Sequence, residues 1–401
     1  MKRSIYVVDD QAGVLDTMVL VLSCVDPEWS VQGFQDPLQA LEAVKAKPPD
    51  LVVSDQLMPG LQGSQLLEEV RAISPTTVRV IMSGYVALNK LTLITSAHQY
   101  LAKPFDSAHL RQLIQRSFAA RDRIKDGGLQ KVITGLKSIP SLRQVHQSLL
   151  SELEDNRHAS TSVGHLVSAD AGLSIKVLQL ANSPLFGQGE LITSPVDAVI
   201  CLGTDLVAAL VFSQTLFRYY ENLSQADIDV ARIWSHCWEM AYLAQHFCRE
   251  KGLTRKAGEE AFLAGLLHES GRLILSDNFP DQFHAACEAA RRSRSPLAPR
   301  LRETFQTGAP QLTAWLLELW GLPVSVIDAI AALDKPEPPP HGAFSVPAAL
   351  YIADCLAGRK SPADAFVPED LDPAYVTAVG CTGDIGAWGE LPLMEQSRGA
   401  K

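Results

Sequence analysis

Five short β-rich apolar runs, at residues 4–8, 31–34, 51–54, 78–82 and 99–101, alternate with helical periods in the first part of the chain. Segments such as 38–46 and 64–73 carry apolar residues at helical spacing, and a further helix is expected from Asp106 through Leu110, Leu113, Ile114 and Phe118. Strands that alternate with helices predict an α/β doubly wound, five-stranded parallel sheet. Such a sheet places its site at the C-terminal ends of its strands. That is where the acidic residues fall: Asp9 and Asp10 end the first run and Asp55 ends the third.

Three carboxylates at adjacent strand ends repel one another unless a cation joins them or one takes up a proton. Oxygen-only ligands at a shallow site suit Mg²⁺, which keeps several waters and a phosphate in its shell. A carboxylate is also a nucleophile toward phosphorus and gives an acyl phosphate. The phosphoryl group in transit needs positive and hydrogen-bonding partners. Lys103, after the fifth run, offers a point charge, and Ser83, after the fourth, a hydroxyl. Lys103-Pro104 is a plausible place for a cis bond.

Four motifs in order, Val7-Val8-Asp9-Asp10, Val53-Ser54-Asp55-Gln56-Leu57-Met58-Pro59-Gly60, Met82-Ser83-Gly84-Tyr85 and Tyr100-Leu101-Ala102-Lys103-Pro104-Phe105, closely resemble the response-regulator receiver family, whose fold is flavodoxin-like. The resemblance implies that Asp55 is the phosphoacceptor and that a sensor histidine kinase is the donor. It implies that Asp10 and Asp55 bind Mg²⁺ directly and Asp9 through water. Ser83 would bond a phosphoryl oxygen, Lys103 would pair with it, and Tyr100 would be the aromatic switch. In receivers, the side chains two positions after the phosphoacceptor and two after the hydroxyl flank the route of hydrolytic water. Here they are Leu57 and Tyr85, neither suited to orienting water.

The pattern then changes. The charged stretch from Arg121 to Asp126, followed by Gly127-Gly128, reads as a linker, and helical periods with Gly-, Pro-, Asn- and Ser-marked loops come after it. Ser194-Pro195-Val196-Asp197 is a helix start: a capping Ser, Pro at the first position and an acid in the first turn. The stretches Ile139-Pro140-Ser141-Leu142, Leu166-Val167-Ser168-Ala169-Asp170, Gln179-Leu180-Ala181-Asn182-Ser183-Pro184, Ile233-Trp234-Ser235-His236, Gly265-Leu266-Leu267-His268-Glu269-Ser270-Gly271 and Trp320-Gly321-Leu322-Pro323 resemble the HDOD domain, an all-α relative of the HD phosphohydrolases. Asn182-Ser183-Pro184 is read as a turn, Trp234 and Trp238 as core, and Arg291 to Arg294 as a solvated face.

HD phosphohydrolases bind metal through a His, a His-Asp pair and a distant Asp. His236, His268 and Asp354 fall where those ligands would be, with Glu269 in place of the paired Asp. The longer Glu is expected to displace its oxygen, and no Gly-Tyr-Pro segment of the cyclic-dinucleotide phosphodiesterases is present. The reading is therefore a degenerate site in a non-enzymatic signalling domain, with a receiver-regulated, metal-dependent phosphohydrolase as the alternative.

The expected organisation is a receiver at 1–120, a linker at 121–131, a helical domain at 132–335, and then a Pro-rich break with a returning helix near 346–357 and a weakly ordered tail to 401. A net charge of −10 argues against non-specific nucleic-acid binding, so no direct DNA contact is expected. The seven cysteines form no C-x-x-C pair and read as reduced thiols. Asp9-Asp10 cuts short any signal-peptide core, and no apolar run reaches the about 18 residues that span a bilayer. The expectation is a cytoplasmic protein, bound to no membrane, whose helical half changes its contacts with the receiver, with a second copy as a homodimer, or with an unknown downstream protein.

Overall fold

The computed structural model describes residues 3–83, 96–124, 126–136, 145, 148–149, 152–153, 159–182, 191–212, 227–338, 342–360 and 370–391. The first part is a parallel sheet of β1 (Arg3–Val8), β2 (Trp29–Phe34), β3 (Leu51–Asp55), β4 (Val78–Ser83) and β5 (Gln99–Ala102). The strand order is β2-β1-β3-β4-β5, so β1 is the point where the winding reverses. Every residue of β3 and β4 is buried, as strands covered on both faces require. The helices of this part are α1 (Ala12–Val25), α2 (Pro37–Ala46), α3 (Gly63–Ile73) and α4 (Ser107–Arg123). Local chemistry sets their starts. Asp36 accepts from Leu38 N ahead of Pro37 in α2, and Gln62 and Gln65 bond reciprocally at the start of α3. Strand register levels the four ends that matter: Val8 pairs with Ser54, Asp55 with Met82, and Ser83 with Ala102.

The stretch expected to be a linker is mostly helical. α4 runs to Arg123, and α5 (Gly127–Gly135) starts after Asp126, whose side chain accepts from Leu129 N. Arg121 is buried: its guanidinium bonds Asp50 Oδ1 (2.8 Å) and Asp50 O (3.0 Å) and lies over the Phe118 ring. A charged side chain with a partner and an aromatic platform belongs to the domain, whatever its composition suggests.

The rest is helical: α6 (Ser160–Ser168), α7 (Ala171–Ala181), α8 (Pro195–Leu202), α9 (Thr204–Phe212), α10 (Val230–Glu250), α11 (Arg255–Leu267), α12 (Ser270–Asn278), α13 (Pro280–Ser293), α14 (Leu297–Phe305), α15 (Ala309–Leu319), α16 (Val324–Ala332) and α17 (Val346–Lys360). Ser194 caps α8 as expected, accepting from Asp197 N. α10 is the central element and packs on α11 and α17. α11 comes close because it carries Gly265 at the crossing, where a Cβ would lie 2.6 Å from Ala241 Cα.

The tail differs from its expectation of weak order over 370–391. α18 (Pro373–Ala378) is capped by Asp372, and α19 (Ile385–Gly389) delivers Trp388, 2% exposed, onto Phe247 of α10 at 4.0 Å between ring centroids. Lys251 pairs with Asp384 across the same contact. Gly, Pro and Asp here are cap and turn residues around one aromatic anchor. No helix among the described residues is long and apolar enough to cross a membrane.

Candidate functional site

Asp9 follows β1, Asp55 ends β3, Ser83 ends β4 and Lys103 follows β5, so the level strand ends bring them to one place. The Lys103 ammonium joins the two carboxylates: Nζ lies 2.7 Å from Asp9 Oδ2 and also bonds Asp55 Oδ1. Asp9 is fully buried and Asp55 nearly so, while Asp10 faces solvent. Backbone donors hold both buried carboxylates: Gln11 N reaches Asp9 Oδ1 at 3.0 Å, and Leu57 N reaches Asp55 Oδ2 at 2.7 Å. Burial pushes the Asp55 carboxyl above its ordinary range, against the pull of Lys103 and with the help of the Asp9 charge. The Lys103 ammonium is raised; burial opposes this, and the bonds it donates to Asp55 and Asp9 outweigh it. The Lys103–Pro104 bond is cis.

Ser83 is buried at the end of β4, and Tyr100 is buried on β5 in the second apolar cluster, its phenol raised by burial. Leu57 is 60% exposed beside the acid cluster; Tyr85 lies outside the described residues. The donor set fits Mg²⁺: carboxylate oxygens alone, one face open at Asp10, and an ammonium already placed against the repulsion between Asp9 and Asp55.

The helical half brings its four sequence candidates together as well. One ligand atom each of His236 (α10), His268 (after α11) and Glu269 lies within 4.8 Å of the others. Asp354 of α17 joins them, its Oδ1 3.0 Å from His236 Nε2 and 3.9 Å from His268 Nε2. The extra methylene of Glu269 does not remove it from the cluster, since its Oε1 stands 3.7 Å from His268 Nε2. His268 donates from Nδ1 to Gly265 O at 2.7 Å, which leaves its Nε2 without a hydrogen bond. Burial opposes charge on His236, yet the bond to Asp354 raises its imidazole; burial also opposes charge on Asp354, and His236 holds that carboxyl low. Arg272, one turn on from Glu269, brings a cation 3.6 Å from Glu269 Oε2.

Of the other singled-out residues, Asn182 at the end of α7 donates to Ile192 O and accepts from Ile192 N at 2.7 Å each; Ser183 and Pro184 lie outside the described residues. Ile139 to Leu142 lie outside them too. Trp234 is buried core. Arg291 is no free surface charge, since it bonds the buried Asp227 at 2.9 Å.

A buried polar seam was not visible in the sequence. Arg79 of β4 donates to Thr134 O (2.9 Å), and His98 Nε2 lies 2.7 Å from the same oxygen. Gln179 of α7 donates to His98 O (3.2 Å), and Gln99 donates to Leu319 O (2.8 Å). Lys176 of α7 sits 4.7 Å above the Trp320 ring. The one signal is a lysine and a glutamine within a helix otherwise made of apolar and small residues; the structure buries every residue of that helix.

A doubly wound sheet with clustered acids at its strand ends, a lysine between them and a hydroxyl at the neighbouring strand end defines a receiver-type signalling domain. Residues 5–115 match the response regulator receiver domain, and residues 139–336 match the HDOD domain. The chain is 32% identical over 120 residues to sporulation initiation phosphotransferase F of Bacillus subtilis (strain 168), 29% of this chain and 94% of that protein. It is 26% identical over 210 residues to the cyclic di-GMP phosphodiesterase response regulator RpfG of Xanthomonas campestris pv. campestris, 47% of this chain and 55% of that protein. It covers 26% of the DNA-binding transcriptional regulator NtrC of Escherichia coli (strain K12), at 31% identity and 30% of this chain. Among solved structures, the MmoQ response regulator of Methylococcus capsulatus str. Bath shares the fold at 24% identity and a TM-score of 0.51, over 64% of this chain and 98% of that one. The chain belongs to the response-regulator family of two-component signalling, a receiver followed by a degenerate HD-like HDOD domain.

Proposed function

We propose that Asp55 accepts a phosphoryl group from a sensor histidine kinase and that this controls a non-enzymatic HDOD output. The observation that carries the reading is the Lys103 ammonium held between Asp9 and Asp55 at adjacent strand ends. In the transfer, the bond from phosphorus to the donor imidazole breaks as a bond from an Asp55 oxygen forms. Asp9, Asp10 and Asp55 would hold Mg²⁺, which neutralises charge on the transferring phosphoryl oxygens. Lys103 pairs with the phosphoryl group once it is on Asp55, and Ser83 donates to it. Ser83 is thereby drawn toward Asp55, Lys103 shifts its bonds from the carboxylates to the phosphoryl oxygens, and β5 with its Tyr100 moves with them.

The test is labelling with a small acyl-phosphate donor and Mg²⁺. Label is expected on the wild type and none on Asp55→Asn; label that persists on the Asn variant refutes the assignment.

The convergence of His236, His268, Glu269 and Asp354, with RpfG as a relative, favours a second reading, an HD-type phosphohydrolase. Imidazole suits Zn²⁺, Mn²⁺ and Fe²⁺ alike, but hydrolysis also needs an open coordination position and a held phosphate. Our reading expects less than one transition metal per chain and no turnover of cyclic dinucleotides or model phosphodiesters. Turnover in the wild type that is lost in His268→Ala installs the phosphohydrolase instead.

A further inference from the structure

β5 is the edge strand of the sheet, and it meets the helical half directly. Gln99, its first residue, donates its amide to Leu319 O at the C-terminal end of α15, where helix carbonyls lack intrahelical partners. The acceptor side of that amide lies against Gly321, whose φ is +74; a Cβ there would stand 2.7 Å from Gln99 Oε1. Gly321 therefore serves both the left-handed turn after α15 and the fit of Gln99. A reciprocal bond runs the other way, from Gln179 of α7 to His98 O, one residue before β5. Arg123 at the end of α4 pairs with Glu318 at 2.8 Å beside them.

The residue directly after the same strand, Lys103, is the phosphoacceptor's cation. Gln99 and Lys103 are four residues apart on one extended segment, roughly 13 Å at the usual rise. A strand is stiff along its length, so a displacement at Lys103 reaches Gln99, and Tyr100 lies between them. Lys103 here holds Asp9 as well as Asp55, which marks the seam as the contact made with Asp55 unmodified.

We propose that the amides of Gln99 and Gln179 form a latch between the receiver's β5 edge and the helical half, closed while Asp55 is unmodified and released by its phosphorylation. The latch rests on the phosphoacceptor reading of Asp55 and names the surface by which it is relayed. Its occupant in the closed state is this chain's own α15 end. Release frees Leu319 O, Glu318 and the Trp320 turn together.

The experiment is hydrogen–deuterium exchange on the full chain with and without Mg²⁺ and beryllofluoride, a phosphoryl mimic, its binding followed by fluorine NMR. In the wild type, peptides covering 312–322 are expected to exchange at least tenfold faster when beryllofluoride is bound. Gln99→Leu/Gln179→Leu is expected to exchange at that faster rate without it and to gain nothing on adding it. Asp55→Asn is expected to stay slow. Bound fluoride with unchanged exchange over 312–322 overturns the latch and leaves the phosphoacceptor standing. Full protection in the double variant also overturns it. No bound fluoride in the wild type overturns the phosphoacceptor reading, and the latch with it.

Discussion

Lys176 gives the seam a pH dependence that can be worked out in advance. The side chain is 4% exposed on a fully buried helix, with Nζ 3.1 Å from Gln179 Oε1 and 4.7 Å over the Trp320 ring. Burial pulls its ammonium down to about 7. An unfolded lysine titrates near 10.4, so between pH 7 and that value the unfolded chain binds more protons than the folded one. Stability must then rise with pH across this window. From pH 7 to 8.5 the gain is roughly 1.5 kcal/mol, an order-of-magnitude figure from linkage. Burial pushes the Cys237 and Cys248 thiols up, which works in the opposite direction at higher pH, because the folded state keeps protons that the unfolded state loses. A comparison with Lys176→Met cancels that contribution and keeps the side chain's length. The assay is urea unfolding of both proteins at pH 7.0 and 8.5, followed by tryptophan fluorescence. The wild type is expected to gain about 1.5 kcal/mol more than the variant over this interval. Equal pH dependence in the two proteins would refute the argument, since it would mean that Lys176 is no harder to charge folded than unfolded.

Leu57 is exposed beside the acid cluster and offers hydrolytic water no acceptor, so slow self-dephosphorylation is expected. Leu57→Asn or Tyr85→Glu should shorten the acyl-phosphate lifetime severalfold by supplying one, as measured by loss of label after donor removal. Trp388→Ala should cost about 3–5 kcal/mol in the helical half, read from its unfolding midpoint, because a buried ring stacked on Phe247 is lost. A cost under about 1 kcal/mol would mean that 370–391 is not an integral part of that half.

The receiver could be read from its sequence because strands buried on both faces are short apolar runs, and the residues just past those runs gather at one edge of the sheet. Asp9, Asp55, Ser83 and Lys103 needed only their strands to be assigned, and strand register did the rest. His236, His268 and Asp354 could be read for a weaker reason, their order along the chain; only the packing of α10 against α11 and α17 brings them together. Gln99, Lys176 and Gln179 carried no such mark. Helical and strand periods say which face is covered, not which half of the chain covers it, and a buried amide looks in sequence like an exposed one. The segment at 370–391 misled through composition. Asp372 and Pro373 start a helix as readily as they mark a disordered stretch, and its order depends on Trp388 reaching a partner 141 positions earlier in the chain at Phe247.

The two acidic clusters of this chain differ in charge balance, and this difference supports one switch and one silent site. In the receiver, Asp9 and Asp55 share the ammonium of Lys103 and Asp10 adds a third carboxylate on the solvent side, an excess of negative charge that a divalent cation and then a phosphoryl group can complete. In the helical half, Glu269 and Asp354 face the Arg272 guanidinium and an imidazole, that of His236, which Asp354 inclines toward its charged form against the effect of burial. That set approaches neutrality with its own side chains. A dication entering it would meet the Arg272 charge at short range and in buried surroundings, where like charges repel strongly. The same residue types therefore leave the receiver short of positive charge and the helical half nearly balanced. This difference in charge balance is the physical ground for the proposal that the exchangeable cation and the chemistry lie at Asp55 and that the helical half responds through its contacts.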